Sequence, residues 1–174
     1  MFLKTERLTI RRIRMGDWES IQRIWNDQKK SVYACFDKPK DTRSEVVRKR
    51  IEKWAFLETS MEHMFFSVCL DGITIGYVAF NQGRDGYEIG YCFLSKYQGK
   101  GYARESIFAL ICAIQKLQPS MVITARTALK NIPSVKLLQS LGFKIIGTEK
   151  VSFYHDDEGK DIYFEGGIFE MDIH

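Results

Sequence analysis

The stretch Tyr97-Gln98-Gly99-Lys100-Gly101-Tyr102-Ala103 most limits what this chain can become. Before it lies Tyr87 to Leu94, an apolar and aromatic run with strand character. After it, from Ala103 to Leu117, Ile107, Leu110, Ile111 and Ile114 recur at helical spacing. A strand, a glycine turn and a helix therefore follow one another. A helix N-terminus presents unpaired backbone N–H groups and a partial positive charge. It takes an anion such as a diphosphate without special side chains. Gly99, Gly101 and Ala103 keep bulk away from the points where backbone must approach the anion. Lys100 and Arg104 add positive charge. On the glycines alone, a tight connection that binds nothing stays open.

Residue type removes two rival phosphate motifs. A P-loop needs two glycines with four residues between them, then Lys and Ser or Thr, and no such string occurs. A dinucleotide fingerprint needs a third glycine where Arg104 stands, and the first βαβ unit is missing as well.

The remaining chain reads as one mixed α/β domain over residues 1–174, with many antiparallel neighbours. Leu8 to Ile13 alternates like a strand. Asp17 is placed to cap a helix carrying Trp18, Ile21, Ile24 and Trp25. Thr42-Arg43-Ser44-Glu45 has the pattern of a capping box, opening a helix with Val47, Ile51 and Trp54 on one side. The basic run Arg48-Lys49-Arg50 inside it reads as a solvated face. Phe65 to Leu70 and Ile73 to Phe80 flank Asp71-Gly72, a strong hairpin signal. Met121 to Thr127 is a further strand. A helix starts at Pro133, presents Val135, Leu138 and Leu141, and stops at Gly142. Phe143 to Tyr154 and Ile162 to Ile173 form a last hairpin about Asp156 to Gly159.

Composition narrows the classes further. Charged residues make up 28% and apolar residues 45%, so disorder is not expected. The net charge of +4 is small and its cations are interspersed, which argues against nucleic acid and mildly favours an anionic ligand. No apolar run reaches membrane-spanning length, and the N-terminus does not read as a signal peptide. Four cysteines without metal or disulfide spacing fit a reducing, cytoplasmic setting. His63, His155 and His174 form no ligand cluster, so no metal is expected. No Gly-x-Ser-x-Gly elbow marks a serine hydrolase.

Gln98-x-x-Gly101-x-Ala103 resembles the coenzyme-binding motif of the GNAT superfamily of acyl-CoA N-acyltransferases. That motif is Arg or Gln, two variable residues, Gly, one variable residue, then Gly or Ala. Glu88-Ile89-Gly90-Tyr91 and Tyr97 to Glu105 are similar to the ribosomal-protein N-terminal acetyltransferase branch. So are Thr5 to Arg11, Asn131-Ile132-Pro133-Ser134, and Leu141-Gly142-Phe143. The likeness spans nearly the whole chain. It implies a mixed, mostly antiparallel seven-stranded sheet with about four helices, splayed between strands four and five.

It also implies acetyl-CoA as co-substrate and direct acetyl transfer to a primary amine, either a protein N-terminus or a small molecule. A non-catalytic acyl-CoA-binding or regulatory domain is the alternative, and related proteins are monomers or homodimers. The coenzyme arm would pair with the open strand edge at Tyr91, Cys92 and Phe93. The turn Gln98, Gly99, Lys100, Gly101, Tyr102, Ala103 and Arg104 would cradle the diphosphate, and Asn131 would reach the arm. Backbone N–H near Phe93 would polarise the thioester carbonyl. Cys92 itself reads as core packing.

Two departures concern proton transfer. The family's tyrosine acid falls at Leu138 here; Ser134 stands where the resembling branch has a serine, whose hydroxyl would meet the thiolate, with an ordinary cap or surface residue as the equal reading. The branch's glutamate base falls at Ile146. Glu149 is three residues on, and that odd offset in a regular strand points to the other face. Glu88 is a candidate base acting through water, or a plain surface carboxylate. By the same resemblance Trp25, Tyr33 and Phe36 would line the acceptor pocket, although core packing is an equal reading, for Trp25 especially.

Overall fold

A computed structural model describes residues 1–171. Its strands are β1 (Phe2–Lys4), β2 (Thr9–Arg12), β3 (His63–Leu70), β4 (Ile73–Gln82), β5 (Gly86–Phe93), β6 (Val122–Ala128), β7 (Phe143–His155) and β8 (Asp161–Met171). Its helices are α1 (Trp18–Gln28), α2 (Ser44–Phe56), α3 (Tyr102–Leu117) and α4 (Ile132–Ser140). The strands form one sheet in the order β1-β2-β3-β4-β5-β6-β8-β7. The pairing of β5 with β6 is parallel and the others are antiparallel. The sheet thus has eight strands, one more than expected. The extra strand is β1, whose three residues are too few to show an alternation.

The β3–β4 hairpin forms as the sequence predicts. Asp71 and Gly72 both adopt left-handed backbone, with φ of 49° and 80°. That matches the twist of the flanking strands. Both faces of the central strands are covered, which is why β3 is apolar without alternation. Met64, Phe66 and Val68 pack in one core with Ile107, Leu110, Ile111 and Ile114 of α3. Phe65 of β3 and Tyr77 of β4 pack in a second core with Ile21, Ile24 and Trp25 of α1 and Val47 and Ile51 of α2. The stripes read from the sequence are the faces that these helices bury.

Two expected helix caps are used elsewhere. The Asp17 carboxylate binds the Arg11 guanidinium at 2.7 and 2.8 Å, the Arg14 N–H at 2.8 Å and the Ser67 hydroxyl at 2.9 Å. It ties β2 to β3 and makes no side-chain cap on α1. Arg43 is the N-cap of α2, with no side-chain capping bond, so the capping box is not formed. Thr42 instead accepts Lys29 Nζ at its hydroxyl and Gln22 Nε2 at its carbonyl. Both departures join segments distant in sequence, which local pattern does not reveal. The expected last strand runs on to Ile173, and that end lies outside the described residues, as does His174.

β5 and β6 pair only from Gly86↔Val122 to Ile89↔Ala125. Beyond that point β5 continues on β4 to Phe93, while β6 continues on β8 to Ala128. The sheet opens between them, and this splay positions the site.

Candidate active site

The splay leaves one edge of β5 unpaired from Gly90 onward. A cavity of about 730 Å³ lies along it. Tyr91, Cys92 and Phe93 line the wall on the β5 side. At one end stands the glycine turn, and at the other the rim after α1, with Tyr33 and Asp37.

The turn is built by its backbone. Gly99 and Gly101 have φ of 71° and 82°, and Gly101 is the N-cap of α3. An L side chain at such a φ costs roughly 1–2 kcal/mol. The first N–H groups of α3 have no intrahelical partner. Gly99, Gly101, Tyr102, Ala103 and Arg104 line the cavity there, joined by Lys136 of α4. Gln98 also lines it, but its Nε2 donates to the Phe93 carbonyl at 2.8 Å. Gln98 therefore braces the turn to the end of β5. Lys100 is outside the lining; its carbonyl accepts Arg7 Nη1 at 2.9 Å.

The N-terminal segment locks this turn from behind. Arg7 Nε donates to Glu105 Oε2 at 2.7 Å, and the Arg7 N–H to Glu105 Oε1 at 3.0 Å. Thr5 Oγ1 donates to Glu105 Oε1 at 2.6 Å. The Arg7 guanidinium also lies 4.4 Å from the Tyr102 ring centroid. Burial alone would raise the Glu105 pKa. Hydrogen bonds from Thr5 and Arg7, with the charge of Arg7, outweigh it and hold the carboxyl below its ordinary value.

Asn131 and Ser134 line the opposite wall. Asn131 is the N-cap of α4, and its Oδ1 accepts the Ser134 N–H at 3.4 Å. The cap uses the carbonyl oxygen, so the NH₂ is what Asn131 has left to donate. The Ser134 hydroxyl lies 2.9 Å from the Tyr91 hydroxyl. Burial pushes the Tyr91 pKa up to about 12, so its phenol stays protonated. Leu138 is fully buried in the core behind α4.

Cys92 points into the second core, and burial pushes its thiol up to about 12. At neutral pH it holds its proton and is no nucleophile. Of the three aromatic residues expected at the acceptor end, Tyr33 lines the cavity. Trp25 is 1% exposed and donates Nε1 to the Tyr77 hydroxyl at 3.0 Å inside the second core. Phe36 faces a separate groove and meets the Phe164 ring edge-on at 5.3 Å. Sequence proximity to α1 does not separate these three; only the path of the chain after the helix does.

Glu88 is ion-paired with Arg126, whose Nε also lies 3.1 Å from Glu149. Arg126 lines the cavity and Glu88 does not. β7 is bulged between Ile145 and Gly147, with Ile146 as the extra residue. A bulge shifts strand parity by one. Regular alternation therefore cannot be carried from Ile146 to Glu149, and Glu149 reaches Arg126. Arg126, Lys136, Asp37 and the Tyr91 hydroxyl are cavity groups that sequence reasoning did not single out. No motif marks Arg126, Lys136 or Asp37, each from a different segment; Tyr91 lies in the Glu88–Tyr91 motif, but only its backbone has an expected role there.

The first turn of a helix and an unpaired strand edge thus share one cavity. The chain belongs to the acetyltransferase (GNAT) domain family, which it matches over residues 7–144. It is an N-acetyltransferase of that family, a family that uses acetyl-CoA. It is 28% identical over 170 residues to the uncharacterized N-acetyltransferase YnaD of Bacillus subtilis, covering 94% of this chain and 95% of that one. A GNAT-family acetyltransferase structure from Bacillus anthracis is 25% identical, with TM-score 0.76 and 98% of each chain covered. A ribosomal-protein alanine acetyltransferase from Vibrio fischeri shares the fold at TM-score 0.82 and 21% identity, over 99% of this chain and 97% of that one.

Proposed function

We propose that this enzyme moves the acetyl group of acetyl-CoA directly to a primary amine, favouring an α-amine. The observation that carries this reading is the continuous cavity from the Gly99–Arg104 turn, along the open edge of β5, to the Tyr33 and Asp37 rim. The turn takes the diphosphate, aided by Arg104 and Lys136. The coenzyme arm pairs with the backbone of Tyr91 to Phe93 as an added strand would, and Asn131 donates to it.

The amine enters from the rim and attacks the thioester carbon, and proximity supplies much of the rate. Ser134 donates a hydrogen bond to the departing sulfur. Glu88, outside the cavity lining, is a candidate to receive the amine proton through water. A carboxylate, with an ordinary pKa near about 4.3, is a weak base. A weak base suits an acceptor that is already partly neutral. An α-amine has an ordinary pKa near about 8, against about 10.4 for a lysine side chain. The fold shared with a ribosomal-protein alanine acetyltransferase puts peptide N-termini first among the acceptors to test.

The test is release of coenzyme thiol from acetyl-CoA in the presence of N-terminal peptides, lysine-only peptides and small amines. The expected result is saturable turnover with at least one α-amine class and weak turnover on lysine side chains. Saturable coenzyme binding without thiol release on any amine would reject the reading. Ser134→Ala lowers kcat about a hundredfold, with coenzyme affinity nearly unchanged.

A further inference from the structure

Tyr91 Oη and Ser134 Oγ face each other at 2.9 Å across the gap between β5 and α4. Both residues line the cavity. Their neighbours do not share the task. Cys92 turns to the opposite face of the sheet, and Leu138, one turn along α4, is sealed in the core. α4 itself therefore brings no phenol to the gap, whereas β5 brings one from the other wall.

We propose that Tyr91 is the positioning residue for the leaving thiolate: its phenol donates to Ser134 Oγ and turns the serine O–H toward the coenzyme sulfur. This rests on the acetyl-transfer reading above. A serine hydroxyl has one hydrogen and two lone pairs, and its rotor is free unless a partner fixes it. Either hydroxyl of this pair can donate to the other. When Tyr91 donates, Ser134 has its hydrogen left for a third atom. A phenol is the more acidic of the two hydroxyls and hence the better donor. Burial keeps it protonated throughout the working range, and the Ser134 contact opposes that upward shift without cancelling it. The Ser134 N–H is already held by Asn131, so backbone and side chain are both fixed. Donation into Ser134 also polarises its O–H, which strengthens the bond it gives onward.

In the transfer step the amine lone pair forms the N–C bond. The C–S bond breaks and its electron pair goes to sulfur. The anion is held by the Ser134 hydrogen bond. The amine proton leaves to water, and the thiolate regains a proton from water once released. Tyr91 gives up no proton in this scheme.

The test reads the sulfur directly. Coenzyme A is bound to the wild type and to Tyr91→Phe, Ser134→Ala and the double variant, and thiolate ultraviolet absorbance is followed against pH. The bound thiol is expected to ionise at lowest pH in the wild type. Tyr91→Phe and Ser134→Ala each raise that pH by about one unit, and the double variant equals Ser134→Ala. In turnover, Tyr91→Phe lowers kcat about tenfold with KM for acetyl-CoA unchanged, and the deficit shrinks for a thioester of a more acidic thiol. An unchanged thiol titration in Tyr91→Phe, or independent costs that multiply in the double variant, would overturn the assignment. If the coenzyme binds but no amine is acetylated, the acetyl-transfer reading fails while the thiol titration still decides the role of Tyr91. If calorimetry finds no coenzyme binding at all, both readings fall.

Discussion

Arg7 and Glu105 form an ion pair in which Nε and Nη2 approach the same carboxylate oxygen, Oε2, at 2.7 and 2.6 Å. The other oxygen, Oε1, takes the Arg7 N–H and the Thr5 hydroxyl. Glu105 is saturated by one tripeptide segment nearly a hundred residues away. Because Arg7 also holds the Lys100 carbonyl, this pair fixes the turn against the first turn of α3. Arg7→Ala is therefore expected to raise KM for acetyl-CoA about fivefold to tenfold, the loss of one to two charge-assisted bonds. The kcat for the same acceptor changes little. Initial rates across acetyl-CoA concentrations check this, and an unchanged KM would show that the turn holds its shape unaided.

Gly101 supplies the left-handed backbone at the N-cap of α3. Gly101→Ala keeps the charge of the site, but strains this backbone and brings a Cβ to 3.3 Å from Arg7 Nη2. Its expected cost is about 1–2 kcal/mol in unfolding, together with weaker coenzyme binding by calorimetry. Gly16→Ala is a fitting control: nothing lies within 4 Å of a Cβ added there, its φ is not positive, and it is outside the cavity lining.

Two carboxylates set the acid limit of stability. For Asp17, burial would raise the pKa. The bonds from Arg11, the Arg14 N–H and Ser67, with the Arg11 charge, overcome it, and the net shift is downward. Glu105 is shifted the same way. A carboxyl with a lower pKa folded than unfolded adds stability above its unfolded value, near about 4. That stability is lost as pH falls through the folded value. The urea midpoint is thus expected to be flat from neutral pH to about 5 and to drop below about 4. Asp17→Asn leaves the half-buried Arg11 guanidinium without its anion and costs about 3 kcal/mol. It also flattens the acid limb of the urea-midpoint profile.

Cys92 sits beside the proposed reacting atoms yet faces the core. With its thiol pushed up to about 12, it carries no thiolate at neutral pH. Cys92→Ala is expected to keep kcat within about twofold and to lose roughly 1 kcal/mol of stability. Loss of activity with stability retained would give that sulfur a chemical role. At neutral pH an alkylating reagent should modify the exposed Cys35 before the buried Cys92.

The glycine-turn end of the cavity was legible because its parts are consecutive. One strand, one glycine turn and one helix start carry it, and a turn that needs positive φ leaves glycines in the sequence. Asn131 and Ser134 were legible for the same reason, as a cap and the residue whose N–H it holds. The acceptor end was not. Trp25, Tyr33 and Phe36 lie within twelve positions of one another, yet one is core, one lines the cavity and one faces a different groove. Chain direction after α1 sorted them. The reach of Glu149 was hidden by a single extra residue in β7, since alternation is read correctly only where the strand is regular.

Sequence by itself therefore determined the order of the elements after β1, the faces that α1, α2 and α3 bury, the β3–β4 hairpin and the glycine turn. Each depends on neighbours in the chain, on hydrophobic period, or on a backbone angle that one residue type favours. Only the tertiary structure decided that Asp17 and Thr42 serve distant partners, that Arg126 stands between Glu88 and Glu149, that Arg7 locks the turn, and that Tyr91 meets Ser134. These are contacts between side chains far apart in sequence, set where β5 and β6 part. The turn that most constrained the chain is one end of a cavity whose other walls come from elements that no local pattern brings together.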